Sequence, residues 1–144
     1  MAESLHTYDP LQIVVAFAGL QISGYADGTF VKVSRDADTW SDQVGADGVV
    51  TRVRSRNQMG TVEITLVAGT PTNQALATIM TQDELFGTGV SAVTVQDLNG
   101  LDLHTGDAAW LVKPPDAEYA KEAKDRVWKI RVKKLVTNSG GSVL

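Results

Sequence analysis

Two adjacent prolines near the C-terminal end constrain this chain more than any other sequence feature. Pro114 and Pro115 close a short apolar run, and a highly charged stretch follows them. Proline lacks the N–H group that a strand ladder needs, so a strand must end at this point. Residues 126–133 then alternate apolar and polar side chains with the period of a strand. The sequence therefore predicts two strands separated by a turn, and no catalytic set of side chains accompanies them.

Most of the remaining chain also has a strand pattern. Short connections between the segments favour antiparallel neighbours. The predicted strands are residues 11–17, 20–23, 29–35, 49–56, 61–67, 90–96, 108–112 and 126–136. The fold class that follows is mainly β, an antiparallel β-sandwich or barrel of about seven or eight strands with one flanking α-helix.

The flanking helix begins at a favourable pair of residues. Thr70 is a good N-cap, and Pro71 suits the first helical position. Gly87 and Gly89 end the segment. The apolar residues that recur at helical spacing are Leu76, Ile79, Met80 and Leu85. We expect this stripe to face the sheet.

The domain organisation is simple, because 144 residues suffice for one domain with a core. We expect an N-terminal arm at residues 1–10, a β-sandwich domain at residues 11–136 and a short C-terminal tail at residues 137–144. Residues 36–48 read as a long polar connection, with Trp40 and Val44 as its large apolar residues. Residues 118–125 fit either a loop or one helical turn.

Composition narrows the functional classes. The chain has no cysteine, which excludes disulfides and thiolate metal sites. Its net charge of −4 argues against a general nucleic-acid binder. No apolar run approaches the roughly 20 residues that span a bilayer, and the N-terminal residues lack the features of a signal peptide. Charge is divided along the chain, with eight bases and four acids after residue 112, which suits either solvated faces or self-assembly through opposite patches.

Three short motifs suggest catalytic or ligand chemistry, and each is rejected. The acidic residues from Asp36 to Asp47 resemble a calcium loop, but Ser41 stands where an EF-hand needs glycine. Gly87 and Gly89 match letters of a dinucleotide fingerprint, but they follow a helix instead of opening one. His104 reads as a surface loop residue without a marked nucleophile partner. We expect no catalytic residue, no metal and no cofactor.

Candidate interaction residues lie in and beside residues 49–56. Arg52, Arg54 and Arg56 share one face of the predicted strand. A solvated face and a nucleic-acid surface are both open, although no aromatic residues interleave the arginines. Our preferred interpretation is an inter-subunit face, with Trp40 and Val44 in the same contact because an exposed tryptophan in a polar connection suggests a protein interface.

Taken in order, these segments resemble a family. The matching pieces over residues 8–136 are YDP at 8–10, ISGYADGTF at 22–30, VGADG at 44–48, GTVEITL at 60–66, TPTN at 70–73, VQDLNG at 95–100, and WLVKPPD at 110–116 with Trp128 beyond it. This set is similar to the tail tube proteins of contractile-tailed bacteriophages. The resemblance implies a β-sandwich with a side helix, assembled as hexameric rings that stack into a hollow tube.

The resemblance also implies partners and a location. A sheath would surround the tube, a tape-measure protein would fill it, baseplate and terminator proteins would bound it, and DNA would cross its lumen without specific binding. The protein would belong to the virion and would be assembled in the bacterial cytoplasm. Because DNA adheres to positive surfaces, we expect a neutral or acidic lumen, lined by Thr61, Glu63 and Thr65.

Other functions stay open at the level of sequence. One alternative is a baseplate or other tube-like tail protein, or the tube of a bacteriocin or secretion machine. Another, from a different class, is a ligand-binding β-sandwich that uses the tryptophans Trp40, Trp110 and Trp128. A small hydrolase is the weakest, because no site for it is marked in the sequence.

Overall fold

The computed structural model describes residue 5, residues 7–100 and residues 102–138. A 3-10 helix at Pro10–Gln12 precedes the first strand. The strands are β1 (Ile13–Phe17), β2 (Leu20–Gln21), β3 (Val31–Arg35), β4 (Trp40–Val44), β5 (Val50–Arg54), β6 (Gly60–Leu66), β7 (Ser91–Asp97), β8 (Asp102–Leu111), β9 (Arg126–Val132) and β10 (Val136–Asn138), and the helix α1 is Pro71–Phe86. The mainly antiparallel β class with one helix is confirmed.

Eight of the strands form one sheet, and β4 and β5 form a separate pair. The path of the large sheet is β2-β1-β7-β8-β9-β6-β3, with β10 paired to β8. Every pairing is antiparallel. Strands far apart along this path share one core, which requires the sheet to curl over on itself as in a sandwich.

The core lies inside this curl. Alternate residues of β6 are buried, and so are alternate residues of β9, as a strand with one apolar face requires. Val15 and Phe17 of β1 belong to the same cluster as Ile64 of β6 and Trp128 of β9. A Cβ at Gly106 would overlap the side chain of Val132, so β8 and β9 approach closely only because that position is glycine.

The helix closes one side of the core. Leu76 and Met80 are buried and Ile79 packs against the cluster, so most of the predicted stripe is confirmed. Leu85 is exposed, so the buried stripe does not extend to the last turn of the helix. Thr70 is the N-cap residue but makes no side-chain cap hydrogen bond. Instead, the Asn73 amide donates to the carbonyls of Val67 and Ala68 and accepts from the indole of Trp128.

Several element boundaries differ from the sequence prediction. The connection at residues 36–48 contains the strand β4, which has no buried residue and therefore no apolar period to reveal it. The strand predicted at 108–112 begins at Asp102, and His104 lies within it instead of in a loop. The final strand is interrupted where Leu135 turns inward and donates its N–H to the Gln58 carbonyl, so β9 and β10 are separate. Residues 118–125 form a loop with one isolated bridge, Tyr119 to Ala123.

Segments near both ends of the described chain are held at the sheet. Asn99 accepts from the N–H of Asp9 and donates to its carbonyl, so the last residues of the predicted arm are fixed to the turn after β7. At the other end, β10 includes residues assigned to the tail. Residues 1–4, residue 6 and residues 139–144 lie outside the described residues.

Candidate assembly surfaces

The β4–β5 hairpin is built unlike the rest of the molecule. All ten residues of its two strands are exposed. Trp40 is 43% exposed, Val44 70% and Val50 64%. The turn at residues 45–48 closes with a hydrogen bond of 2.9 Å from Gly48 N to Gly45 O. The hairpin therefore presents large apolar side chains outward instead of packing them against the core.

Register assigns the side chains of the hairpin to two faces. Trp40 lies opposite Arg54, Asp42 opposite Arg52, and Val44 opposite Val50, so these six side chains share one face. The guanidinium of Arg52 lies 3.7 Å from the centre of the Trp40 ring, and that of Arg54 lies 5.9 Å away. This face combines exposed apolar groups with two arginines, which is the composition of many protein interfaces.

The predicted arginine stripe is only partly continuous. Arg52 and Arg54 lie in β5, whereas Arg56 follows the end of that strand. Within the described ranges of the chain, none of the three has a carboxylate oxygen within 4.0 Å. Their charges are therefore available to a partner.

The base of the hairpin is fixed to the sheet by contacts that the sequence pattern did not reveal. Arg131 of β9 donates to both carboxylate oxygens of Asp36, at 2.8 and 2.6 Å. Arg35 donates to the carbonyl of Leu135 through two nitrogens, at 3.2 and 2.7 Å. The hydrogen bonds from Arg131 hold the pKa of Asp36 below its usual range. Because the two partners are 95 residues apart, only the fold brings them together.

The second candidate surface is the polar face of β6. Thr61, Glu63 and Thr65 alternate with buried Val62, Ile64 and Leu66, so they share the face that points away from the core. Register places Glu63 directly between Lys32 of β3 and Lys129 of β9. The two lysines exceed the one carboxylate, so these three side chains sum to +1, whereas we expected a neutral or acidic wall from the sequence. The sequence missed this because the lysines come from strands 31 and 66 residues away.

Titratable and metal-binding groups give no further site in the described part of the chain. His104 shares a hydrogen bond of 3.0 Å with the Thr137 hydroxyl. Burial raises the pKa of Tyr25 to about 12. No cluster of three His, Cys, Asp or Glu residues arranged for a metal ion occurs among the residues described. Among those residues, too, no helix has both the length and the apolar character to span a bilayer.

The tryptophans do not form a common platform. Trp128 is buried beneath the helix, Trp110 is half-buried on β8, and Trp40 lies on the projecting hairpin. Stacking sites for sugar rings need exposed aromatic faces close together. Trp128 is therefore part of the core, and Trp40 stays exposed on the surface.

Comparison with solved structures identifies the fold. A chain of the anti-feeding prophage tube-terminating cap superposes with a TM-score of 0.65 at 9% identity, covering 96% of this chain and 95% of that one. The sheath/tube terminator of the extracellular contractile injection system PVC gives 0.64 at 11% identity, with coverage of 94% and 99%. A chain of the sheath–tube complex of the same system gives 0.62 at 12% identity, with 92% of each chain covered.

Sequence comparison identifies the family. "Structural protein ORF10" of Pseudomonas phage KPP10 is 25% identical over an alignment of 150 positions, which covers 99% of this chain and 87% of that protein. The family model described as "Bacteriophage PhiTE tail tube protein" matches residues 14–140. This match leaves out only the first residue of β1. It includes the rest of the ten strands, the projecting hairpin among them, and the whole of α1. The chain therefore belongs to the PhiTE-type family of bacteriophage tail tube proteins.

Proposed function

We propose that copies of this chain form hexameric rings that stack into the inner tube of a contractile phage tail, and that DNA leaves the capsid through this tube. Membership of a tail tube family supports the structural role. The observation that carries the assembly is the hairpin. A two-stranded hairpin is only marginally stable in water, and one that exposes Trp40, Val44 and Val50 gains stability when another surface covers it.

The contact residues in this proposal are Trp40, Val44, Arg52, Arg54 and Arg56. Trp40 and Val44 would supply the apolar area, and the arginines would pair with carboxylates of a neighbouring copy. Heterologous contacts of this kind join different surfaces of two copies, so they build rings or open filaments instead of closed dimers. The absence of intrachain ion pairs for these arginines among the described residues supports the proposal.

The lumen wall in this proposal is the β6 face that carries Thr61, Glu63 and Thr65. Two threonines and a carboxylate make up this face, and Glu63 reduces the charge of the flanking Lys32 and Lys129 from +2 to +1, which would weaken the adhesion of DNA phosphates. A cysteine scan tests the orientation, since the chain has no native thiol. In assembled tubes, Glu63→Cys should react with a small maleimide and resist one attached to a large polymer. Equal reaction with both reagents would place this face on the outside.

Assembly is tested directly by microscopy and sedimentation of the purified chain. We expect rings at low concentration and tubes at high concentration, with the onset shifted by salt because charged groups take part. A particle that stays monomeric or forms a closed dimer at every concentration and salt level would contradict the proposal.

A second position in the tail has support from the fold. Two of the superposed structures are a tube cap and a sheath/tube terminator, so a single capping ring at the end of a tube suits this chain as well. A terminator would form rings that never stack. Long tubes from the purified chain alone would therefore assign the tube, and isolated rings would assign the cap. A baseplate position would be assigned by rings that add only to purified baseplates.

The remaining elements of the proposal follow from the tube. The residues from 11 to 136 would form the wall, with an N-terminal arm and a C-terminal tail at its surface. Sheath, tape-measure, baseplate and terminator proteins would be the partners. The protein would act without catalysis as part of the virion, after assembly in the host cytoplasm. Co-purification of these partners with tails, followed by mass spectrometry, would test the list.

A further inference from the structure

A groove opens where the two halves of the curled sheet separate. Its volume is about 390 Å³. Val31 and Val33 of β3 and Val95 of β7 form its apolar wall, and Asp97, Asp102 and His104 form its polar side. We call this the mouth groove. It lies beside β3, the last strand of the sheet path, whose outer edge has no paired strand among the described residues.

The polar side of the mouth groove carries an unfavourable pair. Asp97 and Asp102 are directly opposite each other on β7 and β8. Like charges at such a position repel, and a cation that contacts both carboxylates relieves that repulsion. Within the described ranges, neither carboxylate has a Lys, Arg or His nitrogen within 4.0 Å. The groove therefore offers an apolar wall next to two carboxylates that meet no cationic side chain among the described residues, although Asp97 accepts from the backbone and side-chain amides of Asn99.

The hairpin of a second copy has the complementary pattern. On its exposed face Val50 is followed two residues later by Arg52, and on the wall of the groove Val95 is followed two residues later by Asp97. Residues two apart on a strand lie on one face, about 7 Å from each other. A strand laid along β7 can thus bring Val50 onto the valine wall and, at the same time, Arg52 next to the two carboxylates.

We propose that the mouth groove of one copy receives the β4–β5 hairpin of another copy, with Val44 and Val50 on the valine wall and Arg52 between Asp97 and Asp102. The occupant is a second copy because this chain carries both halves of the match, and its own hairpin projects away from the sheet with every strand residue exposed. This inference rests on the proposed tube, for which it identifies the acceptor surface of the hairpin.

Cross-linking in assembled protein tests the contact. The chain has no cysteine, so a Val50→Cys and Val33→Cys double variant carries only the two designed thiols. Treatment with a short bismaleimide should give a ladder of covalent oligomers. The matched control pairs Val50→Cys with Gln82→Cys on the exposed face of the helix, and it should stay monomeric on a denaturing gel. Tubes that form but give no ladder would overturn the docking site and leave the tube intact.

A charge exchange tests the electrostatic half of the match. Arg52→Glu should raise the protein concentration needed for assembly by about tenfold or more, as close charge pairs in interfaces do. Adding Asp102→Arg to this variant should restore assembly, and Asp102→Arg alone should impair it. If the double variant assembles no better than Arg52→Glu alone, the pairing of Arg52 with Asp102 is contradicted.

Outcomes of the two tests separate the docking site from the tube itself. A ladder without tubes would support the docking contact and contradict the stacked tube. Cross-linking within one chain from Leu5→Cys to Val33→Cys, with no ladder from the hairpin variant, would show that the N-terminal segment occupies the groove and would overturn the proposal.

Discussion

The curled sheet and the β4–β5 hairpin are made of the same kind of alternating strand, yet different forces hold them. In β6 every second residue is buried, and the strand is fixed by the hydrophobic effect. In β4 and β5 no residue is buried, and the register rests on the ladder, the Trp40–Arg52 stack and the anchored base. One part of the chain therefore buries its apolar side chains in a shared core, and the other part leaves them uncovered.

The anchored base explains how the hairpin can project without packing on the sheet. Asp36 and Arg131 fix one side of the connection, and the Ser55 N–H donates to the Thr39 carbonyl at 2.7 Å on the other. The free strands are thereby held in one direction. Such pre-organisation lowers the entropy that association costs.

The largest expected difference between the two regions is in the stability of the monomer. Ile64→Ala empties the centre of the core and should lower the free energy of unfolding by about 2–5 kcal/mol. Val50→Ala removes an exposed side chain and should change it by no more than about 0.5 kcal/mol. Urea denaturation of the monomer measures both. Equal losses would show that the hairpin packs on the sheet in solution.

The second prediction concerns assembly, for which a substitution in the hairpin should matter although it hardly changes the stability of the monomer. Trp40→Ala should leave the stability of the monomer nearly unchanged and raise the concentration needed for tubes by about tenfold or more, as loss of an aromatic anchor does. Trp40→Phe keeps an aromatic face and should have a smaller effect. Light scattering against concentration measures the onset. If Trp40→Ala forms tubes as readily as the parent, the hairpin contact lies elsewhere.

The comparison also separates what the sequence could predict from what it could not. The strands β6, β7 and β9 were predicted to within a few residues. Each has one buried face, so apolar residues recur at every second position of its sequence. The strand β4 was missed because none of its five residues is buried, so polar and apolar side chains follow no pattern there.

Some residues of the candidate surfaces could be predicted from the sequence, and others could not. The sequence drew attention to Trp40, Val44 and the arginines, since large apolar and clustered basic residues are visible without a fold. It could not place Lys32 and Lys129 beside Glu63, because that depends on which strands are neighbours. The Asp36–Arg131 pair and the opposed Asp97 and Asp102 were missed for the same reason.

A third and smaller effect probes the core through Tyr25. Burial raises the pKa of this phenol from 10.0 to about 12, so the unfolded chain ionises first as pH rises. The stabilising contribution is complete below pH 10 and is lost as pH rises through about 12. As pH rises from 10 to about 12, the free energy of unfolding should therefore fall less in Tyr25→Phe than in the parent. Urea denaturation at several alkaline pH values measures the difference, and parallel losses would show that Tyr25 is accessible to solvent.

The smallest expected effect is local and concerns the base of the hairpin. The pKa of Asp36 is lowered by the hydrogen bonds from Arg131, so its contribution to stability is present above the unfolded value of 3.8 and is lost as pH falls through the folded value. Asp36→Asn removes the charge. At pH values above 3.8 this variant should therefore open its hairpin faster than the parent. The two proteins should become alike in acid.

Hydrogen exchange can separate this local opening from unfolding of the sheet. The Ser55 amide reports the base of the hairpin through its bond to Thr39, and the amide of buried Ile64 reports the core. In Asp36→Asn near neutral pH, exchange at Ser55 should be faster than in the parent, with Ile64 unchanged. Comparison of the two proteins at the same pH cancels the intrinsic exchange rate. If both amides accelerate together, the Asp36–Arg131 pair stabilises the whole sheet, and the hairpin is less independent of the core than its exposure indicates.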